Sequence, residues 1–118
     1  MHIIRSWAEL DEYLDRSPDP DIASLLQARR LDLFGYGDLP DVGTFNIVQP
    51  GDSLEGIEAT LRLSLTVETM PTWEWIKRRG SIFEAPIILS DDGFGHVLII
   101  PDAEGIDPRL LALCREHV

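Results

Sequence analysis

The stretch Ser81-Ile-Phe-Glu-Ala-Pro-Ile-Ile-Leu-Ser-Asp-Asp-Gly-Phe-Gly-His-Val-Leu-Ile-Ile-Pro101 decides the fold class. It reads as two apolar strands, Ile82–Leu89 and Val97–Ile100, joined by an acidic turn that contains glycine. Neither strand alternates polar with apolar residues, and such continuous apolar runs predict a sheet covered on both faces. A two-residue turn at Asp92-Gly93 sets Ile88 opposite Val97, whereas a longer turn that uses Gly95 shifts this register. Pro86 cannot donate to a strand ladder, so it predicts an edge position or a bulge for the first strand. That leaves Val97–Ile100 the more central of the two. An edge strand that is apolar on both sides has two explanations: cover by the chain's own helices, or a homodimer through the sheet edge.

On the N-terminal side, helical spacing places Trp7, Leu10, Tyr13 and Leu14 on one face of a helix over residues 6–16, with Ser6 and Glu9 as a capping box. Asp11, Glu12 and Asp15 fall on the other face. Ser17-Pro-Asp-Pro20 breaks this helix, and Asp21 is a cap for a second one that carries Ile22, Leu25, Leu26 and Leu33 and stops at Gly35. The glycine-rich segment from Gly35 to Gly43 reads as a loop. Thr44–Val48 reads as a short strand, and Asp52 with Glu55 opens a helix containing Leu54, Ile57 and Leu61. Arg62–Val67 alternates polar and apolar residues, as a strand does. Trp73–Arg79 reads as a short helix stopped by Gly80, its Lys77, Arg78 and Arg79 complementing the helix dipole. Asp107-Pro108 opens the last helix, with Leu110, Leu113, Cys114 and His117 on its inner face. The expected fold is therefore a single α+β domain over residues 1–118, an antiparallel sheet of three or four strands with a C-terminal hairpin, packed against several helices.

The chain has 118 residues and a formal net charge of −11. Its first 59 residues hold 12 acidic and 4 basic side chains, against 9 and 6 in the remainder, so the acidity is concentrated toward the N-terminus. This balance argues against direct nucleic-acid binding, whose affinity comes from Lys and Arg, and against an anionic membrane surface. It suits a basic protein partner, and it also simply favours solubility. A single cysteine, Cys114, excludes an internal disulfide and fits a reducing cytoplasm. The start of the chain has no signal-peptide pattern, and no stretch approaches the length of a membrane span.

Chemistry-bearing patterns are sparse. Asp91, Asp92 and His96 cluster around the hairpin turn and offer two carboxylates and an imidazole to a divalent metal or a hydrolytic reaction. Asp-Asp-Gly is, however, also what a turn selects for backbone reasons. Cys114 with His117 on an apolar helix face reads as a buried thiol, not a nucleophile. Phe94 at the turn tip and Trp75 beside the Lys77–Arg79 cluster are candidate anchors for a partner. The carboxylates Asp11, Glu12, Asp15, Asp19 and Asp21 match either a solvated helix face or an imitation of a nucleic-acid phosphate row. No catalytic set, cofactor or metal is assigned on these patterns.

The run Pro71-Thr-Trp-Glu-Trp-Ile, with Phe83-Glu and Leu89-Ser-Asp-Asp-Gly-Phe-Gly, resembles small uncharacterised proteins carried on bacterial plasmids and integrating conjugative elements, over residues 45–114. The resemblance implies an accessory protein of a mobile element in a bacterial cytoplasm and transfers no catalytic residue. The expectation is a non-catalytic acidic protein-binding protein, an inhibitor of a host-defence or nucleic-acid-processing protein. The partner-binding candidates are Asp11, Glu12, Asp15, Asp19, Trp75, Asp91, Asp92 and Phe94. The alternatives are a small metal-dependent or hydrolytic enzyme, an immunity protein, and a structural subunit.

Overall fold

The computed structural model describes residues 1–16, 19–29, 42–62, 65, 76–88 and 95–118. These residues form five strands and four helices: β1 (His2–Ile4), α1 (Trp7–Arg16), α2 (Pro20–Ala28), β2 (Val42–Ile47), α3 (Leu54–Leu61), β3 (Lys77–Arg79), β4 (Ile82–Ile88), β5 (Gly95–Pro101) and α4 (Pro108–His117). The strands make one sheet in the order β1-β2-β5-β4-β3. The Cα radius of gyration is 13.5 Å, about the value expected of one compact body of this length.

The hairpin β4–β5 is the centre of the structure. Its register sets Ile88 opposite Gly95, Ile87 opposite His96 and Pro86 opposite Val97. This is two residues from the register that a turn at Asp92-Gly93 gives, and a shift of two leaves every side chain on its own face. The apolar run Val97–Ile100 is resolved by alternation between two cores. Leu98 and Ile100 join Phe83, Ala85, Leu54, Ile57, Leu61, Leu110, Leu111 and Cys114 on one side of the sheet. Val97 and Ile99 join Ile4, Leu10, Ile22, Leu25, Leu26, Phe45, Ile47 and Ile82 on the other. Helices α3 and α4 cover the first face and α1 and α2 the second, so the strands that lack alternation are covered on both sides.

Three features of the sheet depart from the sequence expectation. The sheet has five strands, and it is mixed: β2 runs parallel to its neighbour β5 while the other pairs are antiparallel. The segment Lys77–Arg79, expected to end a helix, is the edge strand β3, paired with β4 through Lys77↔Glu84 and Arg79↔Ile82. A glycine after basic residues suits a helix stop and a hairpin turn alike. Here Gly80 has φ +57° and turns the chain directly from β3 into β4. His2–Ile4, too short to announce itself, is the other edge strand, held antiparallel to β2. Strand β4 is therefore flanked on both sides over Ile82–Glu84, and Pro86 lies beyond the described pairing with β3.

The helix starts follow local chemistry, with two shifts of one or two residues. Ser6 Oγ accepts from Glu9 N at 3.1 Å at the start of α1. Asp19, two positions before the expected cap, is the N-cap of α2, its carboxylate accepting from Asp21 N and Ile22 N, with Pro20 in the first turn. Ser53 caps α3 in place of Asp52, accepting from Gly56 N at 3.0 Å. Asp52 instead takes the α-ammonium of Met1 at 2.8 Å and the amide of Gln49. Asp107 caps α4 as expected. Its Oδ2 also accepts from Leu54 N at 2.9 Å, so one carboxylate satisfies orphan amides at the starts of two helices. Gly35 and most of Arg62–Val67 lie outside the described residues; Arg62 is the left-handed C-cap of α3.

Candidate functional site

Helix α1 packs on the sheet through Leu10, which is fully buried, with Tyr13 and Leu14 partly buried beside it. The same 3.6-residue period turns Asp11, Glu12 and Asp15 outward, and all three are exposed. Glu12 pairs with Arg16 one turn on, at 2.7 Å, an exposed contact of small energetic consequence. Trp7, expected on the inner face, occupies the first turn of α1 and is 46% exposed. Between α1 and the edge strand β1 lies a cavity of about 250 Å³ lined by His2, Ile3, Glu9, Glu12, Tyr13 and Arg16. The rings of His2 and Tyr13 sit 5.1 Å apart, tying the strand to the helix. This margin combines exposed carboxylates, an aromatic and an indentation.

The carboxylates grouped with this face on sequence divide in the structure. Asp19 is a helix cap and half-buried. Asp21 reaches the β3–β4 turn, where Ser81 donates to it from its backbone N–H at 2.8 Å and its hydroxyl at 2.7 Å. These bonds hold the Asp21 carboxyl below its ordinary value. Only Asp11, Glu12 and Asp15 of that set stand outward on α1. Trp75, Asp91, Asp92 and Phe94 lie outside the described residues.

Two buried polar groupings had gone unnoticed in the sequence. Thr44 Oγ1 lies 2.7 Å from His96 Nδ1, and Asn46 Nδ2 donates to Thr44 Oγ1 at 3.0 Å and to Val97 O at 3.3 Å. Asn46 and His96 are almost fully buried. Thr44 and His96 are partners across the parallel β2–β5 pair, on the face of the sheet that carries the core under α3 and α4. Their signal in the sequence was polar residues at alternate positions 44 and 46 of an otherwise apolar strand. The second grouping is Glu84, 1% exposed, on the α2 side of β4. Arg29, the C-cap of α2, ion-pairs with its Oε1, and Arg79 Nε donates to Oε2 at 2.7 Å. A lone glutamate in an apolar strand was the available sign, since a carboxylate cannot stay buried without a cationic partner.

Other ionisable groups near the helix starts hold the fold. Asp102 bridges Arg78 and Arg115 at 2.8 and 2.7 Å, and those two guanidinium groups keep its carboxyl low. Asp107 is held well below the usual carboxylate range, first by Arg109 and then by the Leu54 and Arg109 amides. Cys114 is buried in the core, and burial pushes its thiol up to about 12, in keeping with a structural thiol. Among the described residues no group of three or more His, Cys, Asp or Glu is placed to hold a metal ion. No helix among them is long and apolar enough to cross a membrane. Neither a family model, nor a curated protein, nor a solved structure matches this chain.

Proposed function

We propose that the protein is a non-catalytic binding protein that docks a basic protein partner on the margin formed by α1 and β1. The observation that carries this reading is the division of its carboxylates. Asp21 and Asp107 bind amides distant in the chain, while Asp11, Glu12 and Asp15 stand exposed together on one helix beside an indentation, Glu12 pairing with Arg16 one turn on. Exposed carboxylates on one helix, with a half-exposed tryptophan in its first turn, suit a complementary surface on another protein. With the resemblance over residues 45–114, the partner class is a host-defence or nucleic-acid-processing component met in the bacterial cytoplasm by a mobile-element protein. Occupying a basic groove inhibits such a component without chemistry.

The test is an affinity pull-down from nuclease-treated bacterial lysate at low and high salt. It is run in parallel with the Asp11→Asn, Glu12→Gln, Asp15→Asn triple variant. A basic partner captured by the wild type, released by salt and lost with the triple variant supports the reading. A partner retained equally by the triple variant overturns it.

A hydrolytic alternative draws on one specific contact, the Thr44 hydroxyl 2.7 Å from His96 Nδ1, which is hydrogen-bond geometry for a hydroxyl and its base. Turnover of an ester or amide probe that disappears on Thr44→Val and on His96→Gln, with folding intact, would shift the assignment to it.

A further inference from the structure

The sheet ends in two strands of three residues, β1 and β3, at opposite margins. Among the described residues β1 pairs only with β2 and β3 only with β4, so each turns one row of backbone N–H and C=O groups outward. The two margins carry opposite charge. Lys77, Arg78 and Arg79 are all exposed, which places three of the ten basic residues of a strongly acidic chain on one short edge. Arg79 shares its carboxylate, Glu84, with Arg29, so two guanidinium groups face one negative charge. The opposite margin has Glu9, Asp11, Glu12 and Asp15 on α1, and the cavity beside β1 is lined by Glu9 and Glu12 together with Arg16, which pairs with Glu12, so carboxylates still outnumber cations there.

We infer that the β3 edge of one molecule adds to the β1 edge of a second copy, so that copies associate head to tail. Backbone groups of the two outer strands would complete each other, while Lys77 of one copy meets Glu12 and its neighbours on the other. Charge decides the direction. A two-fold dimer through β1 sets two acidic α1 helices side by side, and one through β3 opposes Lys and Arg with their own kind; both arrangements are repulsive. The attractive pairing is heterologous, and it yields rings or open chains instead of a closed dimer. Each strand offers only three residues, so the contact is small, weak and salt-sensitive. This inference rests on the reading of α1–β1 as a binding surface, and it names a second copy's basic strand edge as an occupant.

Sedimentation velocity on the purified full chain tests it, over a concentration series at about 0.05 M and about 0.5 M salt. The expected result is a weight-average mass that climbs above 13.3 kDa with concentration at low salt and returns toward it at high salt. Lys77→Glu and, separately, Glu12→Lys with Asp15→Lys should each weaken association about tenfold, with unchanged far-ultraviolet circular dichroism. Mixing the two variants in equal amounts should restore it, because one interface is then wild-type and the other charge-reversed. Lys77→Gln, milder on the fold, should show an intermediate loss. A monomer at every concentration in low salt, an association that stops at two, or variants that do not recover on mixing would each overturn the inference. A monomer that still captures a basic partner through α1 leaves the proposed function standing, so the two readings fail separately.

Discussion

Asp11, Glu12 and Asp15 stand exposed along α1, whereas Asp21, Asp52, Asp102 and Asp107 each receive hydrogen bonds from amides or cations distant in the chain. Each member of either set counts the same toward the net charge of −11. They differ in what they touch. The second set ties α2 to the β3–β4 turn, the first residue to the loop before α3, β3 to α4, and α3 to α4. The contrast shows that charge count is a poor guide to a surface: several of the described carboxylates hold distant segments together, while Asp11, Glu12 and Asp15 stand exposed on one helix.

Glu84 is the extreme member of the structural set, and it offers the strongest test. Glu84→Ala leaves the half-buried Arg29 without its partner inside the protein, and a loss of about 3–5 kcal/mol is expected in urea denaturation. A loss below about 1 kcal/mol would mean that this carboxylate is not an anchor of the fold.

Asp107→Ala comes next, since it uncaps α4 and also frees the first amide of α3. An effect of about 1–2 kcal/mol is expected, with Asp107→Asn milder because its amide oxygen still accepts.

Acid should reveal the contribution of the structural set without mutation. Asp21, Asp52, Asp102 and Asp107 titrate in the folded chain below their ordinary value of 3.8, and Glu55 below 4.5. For Asp107 the first cause is Arg109. For Asp52 burial opposes ionisation but is outweighed by the Met1 ammonium and the Gln49 amide. With a folded value below the unfolded one, the unfolded chain takes up protons first as pH falls. Their contribution is therefore complete well above the ordinary values and is lost progressively as pH drops below about 5. Stability measured from pH 7 to pH 3 should fall in that acid range, with a smaller fall in the Asp107→Ala variant. High salt should reduce the effect at the exposed pairs.

The smallest stability effect belongs to α1. The Asp11→Asn, Glu12→Gln, Asp15→Asn variant should stay within about 0.5 kcal/mol of the wild type, because none of the three packs in the core. Denaturation curves that superpose while partner capture is lost would sharpen the division between structural and surface carboxylates. A large destabilisation would dissolve it.

Much of the local structure was legible in the chain. The inner face of α1 at Leu10, Tyr13 and Leu14 (though not Trp7), the capped start of α4, the apolar hairpin and its cover on both sides follow from spacing and composition, because each depends on neighbours within a few residues. The same is true of the outward placement of Asp11, Glu12 and Asp15. Lys77–Arg79 defeated local reading because basic residues before a glycine satisfy a helix end and a hairpin equally. In the fold the segment pairs with β4, where Arg79 bonds Glu84 on that adjacent strand and Arg78 bonds Asp102 just past the end of β5.

The sequence by itself determined the capped starts of α1 and α4, the apolar hairpin and an outward acidic face on the first helix, all consequences of side-chain period and backbone chemistry over short spans. Only the tertiary structure decided that β2 lies parallel to β5 and that Thr44 meets His96 across 52 positions. It also decided which carboxylates are spent on holding helices to turns. Those outcomes depend on pairs brought together by burying two apolar faces at once, and no local pattern encodes which distant amide or guanidinium a given aspartate will reach.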